Sequence, residues 1–199
     1  SQRIFYIHVP VAWVGFLAFF FVLIGSVGYL LAVKSPNNHA LMSAKSWDRF
    51  ACSSAEIGVL FMTLMLISGI LWAKPVWGVW WTWDPRLSTS LILWLTYVAY
   101  LMLRAYSYNE DQSARYSAIL GIAGFINVPI VYLSIVWWRT VHPQVLVGPA
   151  ASGSLDPSMR MVLLVATATF TVLFIYLLIE RMSLRKSEEQ MEIIHGLGG

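Results

Sequence analysis

The chain has 199 residues, of which 58% are hydrophobic and only 12% are charged. A soluble domain usually has about twice that charged share, so this composition is typical of an integral membrane protein. The formal net charge of +3 is too small to indicate nucleic-acid binding. The single cysteine excludes an internal disulfide and a cysteine-based metal cage.

Five charge-free intervals have the length, or nearly the length, of the ~20-residue helix that crosses a ~30 Å hydrocarbon layer. We therefore predict one all-α membrane domain over residues 1–199. Its spans should lie at about 10–33, 53–73, 87–104, 116–138 and 159–180. The remaining segments should be an external loop at 74–87, a second external loop at 139–158 and a cytoplasmic tail at 181–199.

Individual residues refine these spans. Pro10 should begin the first helix, leaving the residues before it as an interfacial lead-in. Pro129 follows Asn127 within the fourth span and should kink it. Glu56, near one end of the second span, either has a functional role or extends to the nearby headgroups.

The basic residues of the connections predict the orientation in the membrane. One side has eight, namely Lys34, Lys45, Arg49, Arg104, Arg115, Arg181, Arg185 and Lys186. The other side has five, namely Arg3, Lys74, Arg86, Arg139 and Arg160. The richer side should be cytoplasmic, so the 74–87 and 139–158 loops should face outward, towards the periplasm in a Gram-negative cell.

The 74–87 loop contains four of the ten tryptophans within seven residues: Trp77, Trp80, Trp81 and Trp83. Indole rings on a short irregular segment offer a flat surface for stacking against another flat aromatic body. Asp84 and Pro85 then form a typical helix start, because Asp caps free N–H groups and Pro tolerates the first helical position. An interfacial aromatic belt is the alternative, but the density of indoles favours a ligand platform.

Two histidines should flank this platform, since His8 precedes the first predicted helix and His142 follows the fourth. Imidazole is the commonest ligand of haem iron, and two can bind from opposite faces of the porphyrin. Arg86 and Arg139 are suited to pairing with the two propionates. Two alternatives stay open: each histidine is merely an interfacial or hydrogen-bonded residue, or each arginine merely anchors a helix end.

The segment Trp77-Gly78-Val79-Trp80-Trp81-Thr82-Trp83-Asp84-Pro85-Arg86-Leu87 resembles the signature of the tryptophan-rich "WWD" haem-handling proteins. Its Arg-Leu-Ser ending, Tyr6-Ile7-His8-Val9-Pro10, Thr140-Val141-His142 and the Gly124–Ile130 segment are similar to the cytochrome c maturation protein C branch. The resemblance covers roughly Ile4 to Arg160.

The resemblance implies that haem b is held at the outer face by His8 and His142, and by the tryptophan platform together with Asp84 at its end. It implies transfer of this haem to a membrane-anchored haem chaperone on the periplasmic side. Further implied partners are ABC-type transporter subunits and a small membrane subunit. The implied location is the bacterial inner membrane, with the mitochondrial inner membrane as the alternative.

Two features depart from that branch. The family usually has a further helix before the first histidine, giving six spans, and we expect that helix to be missing from this chain. Pro85 stands where the branch commonly has a small residue, and Trp-Asp-Pro is more usual in the larger synthase branch. The short length and the two candidate histidines, where a synthase has four, still favour the C branch.

Three other functions are less consistent with the sequence. A synthase that attaches haem to apocytochrome c would need additional histidines and a longer chain. A b-type electron-transfer cytochrome would be expected to have histidine pairs in mid-membrane on facing helices. A transporter permease would need a polar path across the bilayer. We therefore predict a haem-binding and transfer protein that is not an enzyme.

Overall fold

The computed structural model describes residues 2–34, 42–106, 109–138, 140, 142 and 155–197. In these ranges the chain forms six α-helices and no strands. They are α1 (Gln2–Lys34), α2 (Ala44–Trp77), α3 (Pro85–Tyr106), α4 (Glu110–Phe125), α5 (Asn127–Trp137) and α6 (Pro157–Leu197).

Five stretches of the described chain are long and apolar enough to span a membrane, with α4 and α5 together forming one of them. The helices extend to or beyond nearly all of the residues at which the predicted spans begin and end. The predicted intervals marked only charge-free sequence, whereas helical hydrogen bonding continues into the flanking polar residues. The chain is an all-α integral membrane protein, as its composition predicted.

The helices pack around a core shared by α1 and α2, which lie side by side along much of their length. α4 and α6 pack against α1, and α3 packs against α2, α4 and α5. At the centre, the rings of Phe19 and Tyr97 stack with centroids 3.7 Å apart. The Tyr97 hydroxyl donates a hydrogen bond to the Gly121 carbonyl at 3.0 Å, which satisfies a polar group that burial would otherwise make costly.

The first helix begins earlier than predicted. α1 starts at Gln2 and contains Pro10 in its interior, so the expected helix start at Pro10 and the irregular lead-in are wrong. Phe5 and His8 are both buried, and their rings lie 6.2 and 5.7 Å from the Trp72 ring of α2. Burial of these side chains offsets the backbone hydrogen bond that Pro10 cannot donate.

The expected interruption of the fourth span is confirmed. α4 ends at Phe125 and α5 begins at Asn127, so the break lies at Ile126. Pro129 explains the position, because its ring would clash with the carbonyl four residues earlier, at Phe125. The Asn127 side-chain amide donates to the Thr89 carbonyl at 2.9 Å, which attaches the start of α5 to α3.

The segment predicted as a tail, 181–199, continues α6 as far as Leu197. Its first turns are held by ion pairs to α2. Glu56 pairs with both Arg181 and Arg185, the latter at 2.7 Å, and Glu189 pairs with Arg49 at 2.8 Å. The role of Glu56 in this structure is therefore to attach α6 to α2.

Candidate functional site

A pocket opens at the end of the bundle where α1 begins, α2 ends and α3 begins. Its walls are mostly apolar, and five of the predicted site residues line it: His8, Trp77, Trp81, Arg86 and His142. The two histidines are far apart in the sequence; His8 reaches the cavity from α1, and His142 reaches it from the segment after α5, where its ring lies against Trp77. Among the residues described, no group of three or more His, Cys, Asp or Glu side chains could hold a bare metal ion.

His8 lies on the face of α1 that packs against α2, and only 8% of its surface is exposed. Its Nδ1 lies 2.9 Å from the Ser68 hydroxyl oxygen. The neighbouring Gly69 leaves room for the ring, since a Cβ at that position would lie 3.2 Å from His8 Cε1. Little more than one turn of α2 therefore surrounds this imidazole with the Ser68 hydroxyl, the open surface at Gly69 and the indole ring of Trp72.

The tryptophan-rich loop is shorter than predicted. α2 continues through Pro75 to Trp77, and α3 begins at Pro85, so only residues 78–84 lie between the helices. Gly78 ends α2 in the left-handed conformation, with φ = 77°, and its N–H donates to the Lys74 carbonyl at 3.0 Å. Glycine reaches this conformation without steric cost, so the turn depends on the residue at 78.

This turn divides the four tryptophans into two pairs. Trp77 and Trp81 line the pocket. Trp80 and Trp83 do not line it, and they are 54% and 78% exposed. The Trp80 ring lies under the Lys74 ammonium, 5.7 Å from its centroid. One pair is thus available to a ligand in the pocket and the other to a partner outside it.

The predicted helix start at Asp84 and Pro85 is confirmed, because Asp84 Oδ1 accepts a hydrogen bond from the Arg86 N–H at 3.0 Å. Asp84 is buried and does not line the pocket. The same Oδ1 accepts a hydrogen bond from the Thr140 hydroxyl at 2.7 Å. Thr140 Oγ1 in turn accepts from the His142 N–H at 3.1 Å. Asp84 therefore connects the start of α3 to the segment with the second histidine.

Burial lowers the pKa of His142 to about 3, and the nearby Arg86 and His8 add to this effect while Asp84 opposes it. The imidazole is therefore neutral at pH 7, with a lone pair on one ring nitrogen. The Nδ1 atom is buried and has no hydrogen-bond partner in the described part of the chain. The ring packs edge-on against Trp77, with centroids 6.0 Å apart.

Arg86 points into the pocket from the first turn of α3 and donates to the Val131 carbonyl at 3.3 Å. Among the described residues, no carboxylate oxygen lies within 4.0 Å of its guanidinium. Arg139, predicted to act beside it, lies outside the described residues.

A family model described as Heme exporter protein C matches residues 1–194. The chain belongs to the Heme exporter protein C family. The resemblance found in the tryptophan-rich segment and the two histidine segments is thereby confirmed.

Curated relatives with the name Heme exporter protein C include those of Bradyrhizobium diazoefficiens and Haemophilus influenzae. The first is 37% identical over 177 residues, which cover 89% of this chain and 64% of the relative. The second is 31% identical over 182 residues, which cover 91% of this chain and 70% of the relative. A putative cytochrome c biosynthesis ccmC-like mitochondrial protein of Marchantia polymorpha is 37% identical over 142 residues. These cover 71% of this chain and 55% of the relative. The chain thus spans a little over half to about two thirds of these relatives' lengths.

In this member of the Heme exporter protein C family, sequence reasoning missed Ser68, Gly69 and Trp72, which surround His8. Ser68 lies 60 positions from His8, and no short motif relates the two. The only sequence signal for this contact was the Ser68 hydroxyl itself, which stands in a strongly apolar span. Thr140 was part of a recognised segment, but its bond to Asp84 depends on where the chain returns after α5.

Proposed function

We propose that this chain binds haem b between His8 and His142 at the outer face of the membrane and passes it to a membrane-anchored haem chaperone. The observation that carries the proposal is that both imidazoles line one pocket. Two imidazoles suit haem iron, which accepts one axial ligand on each face of the porphyrin.

The walls of the pocket fit the rest of such a ligand. Trp77 and Trp81 offer indole surfaces for contact with a porphyrin ring. The Trp81 indole N–H is buried without a hydrogen-bond partner in the described chain, so it can donate to a polar substituent. Arg86 has a guanidinium that can bind a propionate, which prefers a planar, always-charged partner.

The pocket is too small to enclose a porphyrin. The cavity volume is about 70 Å³, which corresponds to roughly five water molecules. A haem held here would project from the pocket, with one edge open to a partner. An exposed edge suits a protein that must release its ligand, and the outward-facing Trp80 and Trp83 provide an apolar surface beside it.

The names of the relatives support a role for this activity in cytochrome c biosynthesis. Two are called heme exporter proteins and the Marchantia relative is named for cytochrome c biosynthesis. We assign this chain a haem-handling step in that process, together with ABC-type transporter subunits and a small membrane subunit. The excess of basic residues on one side predicts that the pocket faces the periplasm, or the corresponding side of the mitochondrial inner membrane.

The first experiment is the absorption spectrum of the purified protein. A His39→Ala variant is the control, because His39 lies between Lys34 and Lys45 in the sequence, on the side predicted to be cytoplasmic. We expect a haem spectrum that His39→Ala leaves unchanged and that His8→Ala and His142→Ala alter. A colourless protein would contradict the proposal and favour a permease.

The second experiment separates transfer from the alternatives. Co-expression with the haem chaperone should trap a complex that contains haem and both proteins. A b-type cytochrome would keep its haem through redox cycling without forming that complex, and a synthase would attach haem to apocytochrome c without the chaperone.

A further inference from the structure

The two imidazoles of the pocket are held in different ways. His8 lies within a helix and has a hydroxyl partner at its Nδ1. His142 lies outside the helices, and its Nδ1 is buried with no partner among the described residues. Partners of this kind orient a metal-binding histidine and fix its tautomer, so the difference bears on how each ring would bind iron.

The hydrogen bonds around Ser68 favour one tautomer of His8. The Ser68 hydroxyl is positioned to donate its only proton to the Met65 carbonyl, 3.1 Å away on the same helix. With that proton on the Met65 carbonyl, the Ser68 oxygen is left to accept from the His8 Nδ1–H, 2.9 Å away. A neutral imidazole protonated at Nδ1 has its lone pair on Nε2, which is the atom left for a metal.

Gly69 supports the same arrangement sterically. A Cβ added at this position would lie 3.8 Å from His8 Nδ1, an ordinary contact, and 3.2 Å from Cε1, which is tighter than most such contacts. Ser68 and Gly69 together form what we call the His8 seat, in which one residue fixes the protonated nitrogen and the other gives the ring room.

Among the described residues, His142 has no support equivalent to the His8 seat. The contact that positions its backbone is the N–H bond to Thr140, which leaves the imidazole free of side-chain hydrogen bonds in the described structure. Trp77 contacts the ring edge-on, and this contact does not select a tautomer. Within the described part of the chain, the second imidazole is therefore held by fewer orienting contacts than the first.

We propose that the His8 seat makes His8 the retained haem ligand and that His142 is the ligand exchanged when haem leaves. The proposal rests on the proposed function, since it requires both histidines to bind the iron. In the exchange, the bond between iron and His142 breaks, a donor from the accepting partner binds in its place, and the bond to His8 persists until the second ligand is replaced.

The seat can be tested without haem. In haem-free protein labelled with ¹⁵N-histidine, the NMR shifts of His8 should show a protonated Nδ1. Ser68→Ala should give a mixture of tautomers, and Ser68→Thr should restore the wild-type pattern because it keeps the hydroxyl. Ser54→Ala is the matched control, since its hydroxyl bonds only to the Phe50 carbonyl of the same helix in the described structure. An Nε2-protonated His8, or no effect of Ser68→Ala, would overturn the seat.

Ligand order is tested with carbon monoxide on the reduced, haem-loaded protein. Carbon monoxide replaces one axial imidazole and leaves a diamagnetic iron, so the released histidine is identified by its ¹⁵N signals. We expect release of His142 in preference to His8 by ~10-fold or more, the size of effect that such supporting contacts have on metal affinity. Gly69→Ala and Ser68→Ala should reduce this preference. Equal release, or release of His8, would overturn the order of exchange.

The two levels of the proposal fail in distinguishable ways. If neither histidine binds iron in the wild type, the proposed function and the order of exchange are both wrong, while the tautomer of His8 in haem-free protein still tests the seat. If both bind iron but the released ligand is His8, only the order of exchange is wrong.

Discussion

Thr140 donates a 2.7 Å hydrogen bond to the buried carboxylate of Asp84, 56 positions earlier in the chain. The same Thr140 oxygen accepts from the His142 N–H, and the same carboxylate oxygen caps α3 through the Arg86 N–H. The acidic residue of the tryptophan-rich signature is therefore a structural connection between the platform and the second histidine.

Thr140→Val should loosen the His142 segment and weaken haem binding. The lost bond is to a charged acceptor and contributes about 1.5–3 kcal/mol, which corresponds to a roughly tenfold or larger change in haem affinity. Thr140→Ser should behave like wild type because it keeps the hydroxyl. Haem titration of the purified variants measures the effect, with Thr96→Val as a control whose hydroxyl bonds only within α3 in the described structure. Equal affinities for Thr140→Val and wild type would show that the connection is dispensable.

Gly78→Ala should destabilise the turn between α2 and the tryptophans. A non-glycine residue in the left-handed conformation costs about 1–3 kcal/mol, and φ at this position is 77°. Gly78→Asn should cost less, because asparagine tolerates this conformation better than alanine does. Thermal unfolding followed by tryptophan fluorescence compares the two. If alanine is tolerated as well as asparagine, the turn does not depend on this backbone conformation.

The inward and outward tryptophans should have separable functions. Trp77→Ala and Trp81→Ala remove side chains that line the pocket and should reduce haem retention during purification. Trp80→Ala and Trp83→Ala remove exposed rings and should reduce capture of the chaperone while haem retention stays near the wild-type value. The two assays are run on the same four preparations. A uniform loss of haem in all four variants would contradict the division into two pairs.

Arg86→Lys should not behave as a conservative change. A guanidinium binds a carboxylate through two parallel hydrogen bonds that an ammonium cannot reproduce. Loss of a charge-assisted bond of about 1.5 kcal/mol predicts a roughly tenfold fall in haem retention. Arg139→Lys and the double variant test the second predicted propionate partner, and Arg115→Lys is the control from the exposed surface of α4. Full haem retention in the double variant would show that neither arginine binds a propionate and that both anchor helix ends.

Local features of the site could be predicted from the sequence. Asp84 and Pro85 start a helix because capping depends on neighbouring residues, and the break before Pro129 follows from its missing N–H and its ring. The start of α1 could not be predicted, since contacts of Phe5 and His8 with Trp72 outweigh the effect of Pro10.

The arrangement within the pocket also exceeded what the sequence could predict. Which tryptophans face inward depends on the left-handed turn at Gly78, and a dense run of indoles does not specify it. The contact between His8 and Ser68 depends on the register of α1 against α2, which is set by packing along both helices.

The central claim is that His8 and His142 both bind the haem iron, and the most direct measurement is the absorption spectrum of wild type beside His8→Ala and His142→Ala. Wild type should have the spectrum of a six-coordinate low-spin haem. Each variant should lose one axial ligand, shift towards the high-spin spectrum or lose haem, and return towards the wild-type spectrum when imidazole is added. Unchanged low-spin spectra in both single variants would contradict the account.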